Sequence, residues 1–88
     1  MLHNNQFDKA IFFFEKFIEE YKGLEFGYLG KLETLIKMKD YEAASNYFNV
    51  VIKNFKIPIV ELEDYYADYP TFLKSEEYLL WKKGVPSI

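Results

Sequence analysis

Lys39-Asp40-Tyr41-Glu42-Ala43-Ala44-Ser45-Asn46-Tyr47-Phe48 is the stretch on which the fold turns. Asp40 is a side chain suited to capping a helix N-terminus. From Tyr41 the apolar residues recur as Tyr41, Ala44, Phe48, Val51, Ile52 and Phe55, the i, i+3, i+4, i+7 spacing of one buried helix face. This helix should stop before Pro58, because proline disfavours helical geometry in the residue ahead of it. The same stripe stands 34 residues earlier: Phe7 aligns with Tyr41, Asp8 with Glu42, Ala10 with Ala44, Phe13 with Tyr47 and Phe14 with Phe48. Phe17 then aligns with Val51, Ile18 with Ile52, Tyr21 with Phe55 and Lys22 with Lys56. Four of these nine pairs are identities and five are like for like. The spacing therefore predicts a first helix over 6–22, with Asn5 as its cap and Gly23 as its stop. Between the two copies, Tyr28, Leu29, Leu32, Leu35 and Ile36 predict a second helix, closed by the turn Lys37-Met38-Lys39-Asp40.

A helix-turn-helix unit of 34 residues is the period of the tetratricopeptide repeat, and residues 39–48 resemble the start of that repeat's second helix. Tyr41, Ala44, Tyr47 and Phe48 match, residue by residue, the positions that lock helix against helix in that family. The resemblance covers residues 6 to about 58 and implies an all-α, right-handed helix-hairpin stack of about five helices in a single domain, 1–88. In that frame, 6–22 is the second half of a repeat, 25–58 a complete repeat and 59–88 a short helix with a capping helix. The chain departs from the family in three places: Lys39 replaces the usual inter-helix glycine, the closing proline is displaced to Pro58, and Leu29-Gly30 is out of register. Read this way, the chain opens in the middle of a repeat.

The last third does not continue the pattern. Ile59, Leu62, Tyr65, Tyr66 and Tyr69 make the stripe of a short helix that Pro70 should end. Ser75 then caps a closing helix over 75–83, with Glu76 and Glu77 in its first turn and Lys82 and Lys83 in its last, an order that suits the helix dipole. Residues 68–78 resemble the end segment of bacterial tetratricopeptide arrays, and a helix stack needs such a cap over its last apolar face.

Composition narrows the chemistry. The chain has 88 residues, 50% hydrophobic and 20% aromatic, with no Cys, one His and eleven basic residues that are all Lys. Thiolate metal sites, disulfides, cysteine nucleophiles and guanidinium forks are all ruled out. Catalytic residues, a metal site and a cofactor site are not expected. His3 lies at the terminus, and the acids Glu61, Glu63, Asp64 and Asp68 lack the glycine-containing loop of a dedicated calcium site. Gly27 and Gly30 sit in a helical pattern, so they form no phosphate cradle. No apolar run approaches the roughly 18 residues of a membrane span, and Met1-Leu2-His3-Asn4-Asn5 lacks a cationic leader region, so a cytoplasmic protein without membrane contact is expected. The net charge of -3 resides in residues 57–88, with three Lys against six acids, while residues 1–56 balance eight against eight. An acidic chain without Arg argues against nucleic acid and toward a basic protein or peptide partner.

The resemblance implies protein or peptide binding without catalysis, along a concave surface of Phe26, Leu29, Glu33, Ile36 and Lys37 extended by Glu63 and Tyr66. Gly27, Gly30 and Thr34 form a small-residue stripe, read as the close approach of a neighbouring helix or as the border of that groove. Phe12 projects away from the stripe of the first helix, and its 34-residue counterpart is the polar Asn46. With Phe13 it marks an interface to an upstream domain or to a second copy, a homodimer through the first helix. The alternative reading is a small acidic helical inhibitor of a basic enzyme, of the immunity type, presenting Tyr65-Tyr66-Ala67-Asp68-Tyr69-Pro70 to its target.

Overall fold

A computed structural model describes residues 5–84. The described chain is all-helical, with helices α1 (Asn5–Glu20), α2 (Glu25–Lys37), α3 (Tyr41–Phe55), α4 (Ile59–Tyr65), α5 (Pro70–Leu73) and α6 (Glu76–Gly84), and no strand. Six helices stand where about five were expected. Pro70 is the reason: α4 ends at Tyr65, and Pro70 opens a further helical turn at N1, where its missing N–H costs nothing and its fixed φ suits a helix start.

The local signals account for most boundaries. Asp40 caps α3, its Oδ1 accepting from the Ala43 N–H at 3.3 Å. Ser75 caps α6, its Oγ accepting from the Tyr78 N–H at 3.2 Å. The α2–α3 turn is a Schellman motif: Asp40 N–H donates to the Leu35 carbonyl and Lys39 N–H to the Ile36 carbonyl. Lys39 holds the left-handed position of that motif with φ 64°, so the chain needs a glycine-like conformation where it has a lysine. Lys56, with φ 53°, ends α3 two residues before Pro58. At the front, α1 already includes Asn5 and ends at Glu20, two residues short of the predicted 22, and Gly23 lies in the following turn. His3 lies outside the described residues.

α1 and α2 form one hairpin, α2 and α3 the next, and α6 returns to pack on α3. The core gathers around Phe48, which is fully buried. Its ring meets Tyr66 (6.0 Å between centroids), Phe72 (5.7 Å), Tyr78 (5.2 Å) and Trp81 (5.5 Å). One aromatic from α3 is thus ringed by aromatics from the whole C-terminal segment, and such pairs add about 0.5–1.5 kcal/mol each beyond their buried area. No helix among the described residues is long and apolar enough to cross a membrane.

Candidate functional site

α1 reaches α2 through glycines. A side chain at Gly30 would overlap the ring of Phe14, and one at Gly27 would come within 2.8 Å of Ile18 Cγ1 and 3.3 Å of the Phe14 carbonyl oxygen. Of the two readings of the Gly27, Gly30 and Thr34 stripe, close helix approach accounts for both glycines. The Thr34 hydroxyl turns inward and donates to the Gly30 carbonyl at 2.8 Å.

The tight approach pushes a row of rings to the hairpin's edge. Phe13 meets Phe14 (5.3 Å) and Phe17 (6.4 Å), Phe17 meets Tyr21 (4.9 Å) and Phe26 (5.0 Å), and Phe26 closes on Phe14 (5.7 Å). Phe13 and Phe26 remain 56% and 57% exposed, and Tyr21 and Leu24 about as much. A connected aromatic face of this kind on a small domain is what an interface leaves bare. Phe12, at 62% exposure, stands apart from it: its ring carries Lys16 Nζ at 5.6 Å on the outer side of α1. Phe12 and Phe13 therefore do not form one patch, because consecutive helical residues diverge by about 100°.

The residues expected to line a groove divide in two. Ile36 and Tyr66 are buried, with 3% and 1% exposure. The Tyr66 hydroxyl donates to the Leu29 carbonyl at 2.7 Å, so the segment after α4 lies on the α2 face that was to receive a ligand. Glu33 accepts a 2.6 Å hydrogen bond from the Tyr69 hydroxyl and faces Lys37 at 3.9 Å. Glu63 accepts from the Tyr78 hydroxyl and from Lys82 Nζ, both at 2.7 Å, and so ties α4 to α6. Phe26 and Lys37 stay exposed. Of the Tyr65–Pro70 segment, Tyr65, Ala67, Asp68 and Pro70 face solvent while Tyr66 points into the core.

The titratable groups reflect these bonds. Burial opposes the charged form of Glu63, but the hydrogen bonds from Lys82 and Tyr78 and the Lys82 charge outweigh it and hold the carboxyl below the ordinary range. The bond to Glu33, aided by burial, raises the Tyr69 phenol to about 12. Burial, then Tyr28 and Glu15, lift Tyr47 to about 12 as well. Burial likewise moves Tyr66 and Tyr78 upward. Each shift comes from burial or from contacts inside the fold, and no group of three or more His, Asp or Glu side chains that could hold a metal ion exists among the described residues.

Two shallow clefts mark the described surface. One, of about 230 Å³, is lined by Lys37, Lys39, Tyr41 and the 68–72 segment; the other, of about 330 Å³, lies along Leu79, Leu80 and Lys83. Sequence reasoning missed that Phe17, Tyr21 and Phe26 join Phe13. The signal is the four-residue spacing of Phe13, Phe17 and Tyr21, of which the sequence reading gives Phe17 and Tyr21 to the buried stripe and Phe13 to an interface. Compared with protein-family models, with curated proteins and with solved structures, the chain matches none.

Proposed function

We propose that the chain is a non-catalytic protein- or peptide-binding module of tetratricopeptide type, acting in the cytoplasm without nucleic acid. Its contact surface is the strip of α2 bearing Phe26, Glu33 and Lys37, bordered by Phe13 and Phe17 of α1. Leu29, Ile36 and Tyr66 support that strip from within, while Glu63, bound to Tyr78 and Lys82, lies off it. The observation that carries the reading is the connected row of rings in which exposed Phe13 and Phe26 flank the partly buried Phe17. Exposed aromatics are the anchors from which binding surfaces draw most of their energy, and charged neighbours set orientation. In the segment on which the inhibitor reading rests, Tyr66 is inside the core while Tyr65 stays exposed.

Selection of displayed peptides on the immobilised chain tests the proposal. A selected peptide should lose at least tenfold in affinity on Phe26→Ser and less on Lys37→Glu, with the helical circular dichroism unchanged. Selection of no peptide, or binding indifferent to Phe26, would overturn it.

A further inference from the structure

The internal repeat shows what sits on this face. The α3 counterparts of Phe13 and Tyr21 are Tyr47 and Phe55. Both are covered by Tyr28 of the antiparallel helix α2, at 6.4 and 5.0 Å between ring centroids. On α1 no described helix takes that place.

α1 also differs from α3 in charge, at particular positions. Lys9 replaces Ala43 near the N-terminal end, and Glu19 and Glu20 replace Lys53 and Asn54 at the C-terminal end. The last turn of α1 holds no basic residue, whereas those of α2, α3 and α6 do. Acid at a helix C-terminus opposes the dipole, so this order is unfavourable for α1 by itself. Lys9, Phe13, Lys16 and Glu20 recur at i, i+4, i+7 and i+11, one stripe along the helix with Phe17 at its border. Lys16 has a partner in Glu19 at 3.7 Å, while among the described residues Lys9 and Glu20 make no ion pair.

We propose that a second copy of the chain occupies this face, its α1 packed antiparallel on α1 about a two-fold axis. Phe13 of each copy enters the hole between Phe13, Lys16, Phe17 and Glu20 of the other. That register sets Lys9 of each copy, with the positive end of its helix, beside Glu20 of the other, and an isologous contact makes the pair twice. The proposal rests on the interaction reading above and names its partner. Half-exposed Phe13 and the edge of Phe17 form a small apolar centre inside a charged rim, far below the roughly 800 Å² per partner of a standard interface, so the dimer is a weak one.

Sedimentation of the full chain from about 5 to 500 µM should show a monomer–dimer equilibrium. Lys9→Glu and Glu20→Lys should each weaken it at least tenfold while favouring the folded helix, because each moves α1 toward the charge order its dipole prefers. Mixing the two variants should restore a heterodimer, since one then carries two acids and the other two lysines at the facing positions. Phe13→Ser should abolish the dimer with unchanged circular dichroism. A wild-type chain monomeric throughout, or a mixture no more associated than its components, overturns the second-copy occupant. A monomer that still selects a Phe26-dependent peptide would do so while leaving the interaction reading standing.

Discussion

Helices α1 and α3 carry one stripe twice, 34 residues apart, and the two copies meet different fates. In α3, Ala44, Phe48, Val51 and Ile52 are buried, while their counterparts Ala10, Phe14, Phe17 and Ile18 in α1 are half covered, and no described side chain of α1 is fully buried. The neighbours differ: α3 has α2 on one side, α6 on another and the rings of Tyr66 and Phe72 between them, whereas α1 packs on α2. An apolar stripe states which face a helix must cover, and the number of elements that arrive decides how much of it is covered.

The largest test of that difference is truncation of the paired phenylalanines. Phe48→Ala should cost about 3–5 kcal/mol in urea unfolding, since it empties the centre of the core. Phe14→Ala should cost roughly half as much, because its ring is only partly surrounded. Equal losses would mean that the two helices are held alike.

Gly30→Ala probes the α1–α2 contact from the other side. A methyl group gains about 1 kcal/mol in helix preference, but it must displace the Phe14 ring, and overpacking of this kind costs about 1–3 kcal/mol. A net loss of about 1 kcal/mol is expected, read by thermal or urea unfolding. Gly23→Ala, with open space around it, should be neutral within about 0.5 kcal/mol. A stabilised Gly30→Ala variant would show that α1 sits loosely on α2.

The smallest effect concerns acid. Glu63 joins α4 to α6, on the covered side of the molecule, and its carboxyl is held below the ordinary range. A depressed folded-state value contributes stability that is complete above the unfolded-chain value, about 4.3, and is lost as pH falls through the folded value. The melting temperature should therefore decline below pH about 4.3, and Glu63→Gln should start lower and lack that part of the decline. An unchanged acid profile in the variant would remove Glu63 from the account.

Much of the fold was legible in the sequence. Asp40, Ser75 and the Pro58 stop act within four residues of themselves, so their effects could be read locally, and the glycine stripe announced a close neighbour. Pro70 was misread because a proline after a tyrosine-rich stripe can end one helix or begin the next, and only the packing of Phe72 beneath α3 selects the second. Two residues of the expected groove, Ile36 and Tyr66, close into the core for a related reason. Ile36 and Tyr66 are apolar enough to line a binding surface or a core, and the difference lies in where the chain goes after Pro58. Lys39 shows the reverse case, a residue without local preference for the left-handed conformation that the α2–α3 packing imposes on it.

By itself the sequence determined the long helices, the Asp40 and Ser75 caps and the stripe each helix must cover, because backbone sterics, helical periodicity and capping hydrogen bonds are short-range. The tertiary structure alone decided which stripes close. Burial depends on elements distant in the chain, and the return of 59–84 onto α2 and α3 seals the second copy of the stripe while the first keeps its rings in water.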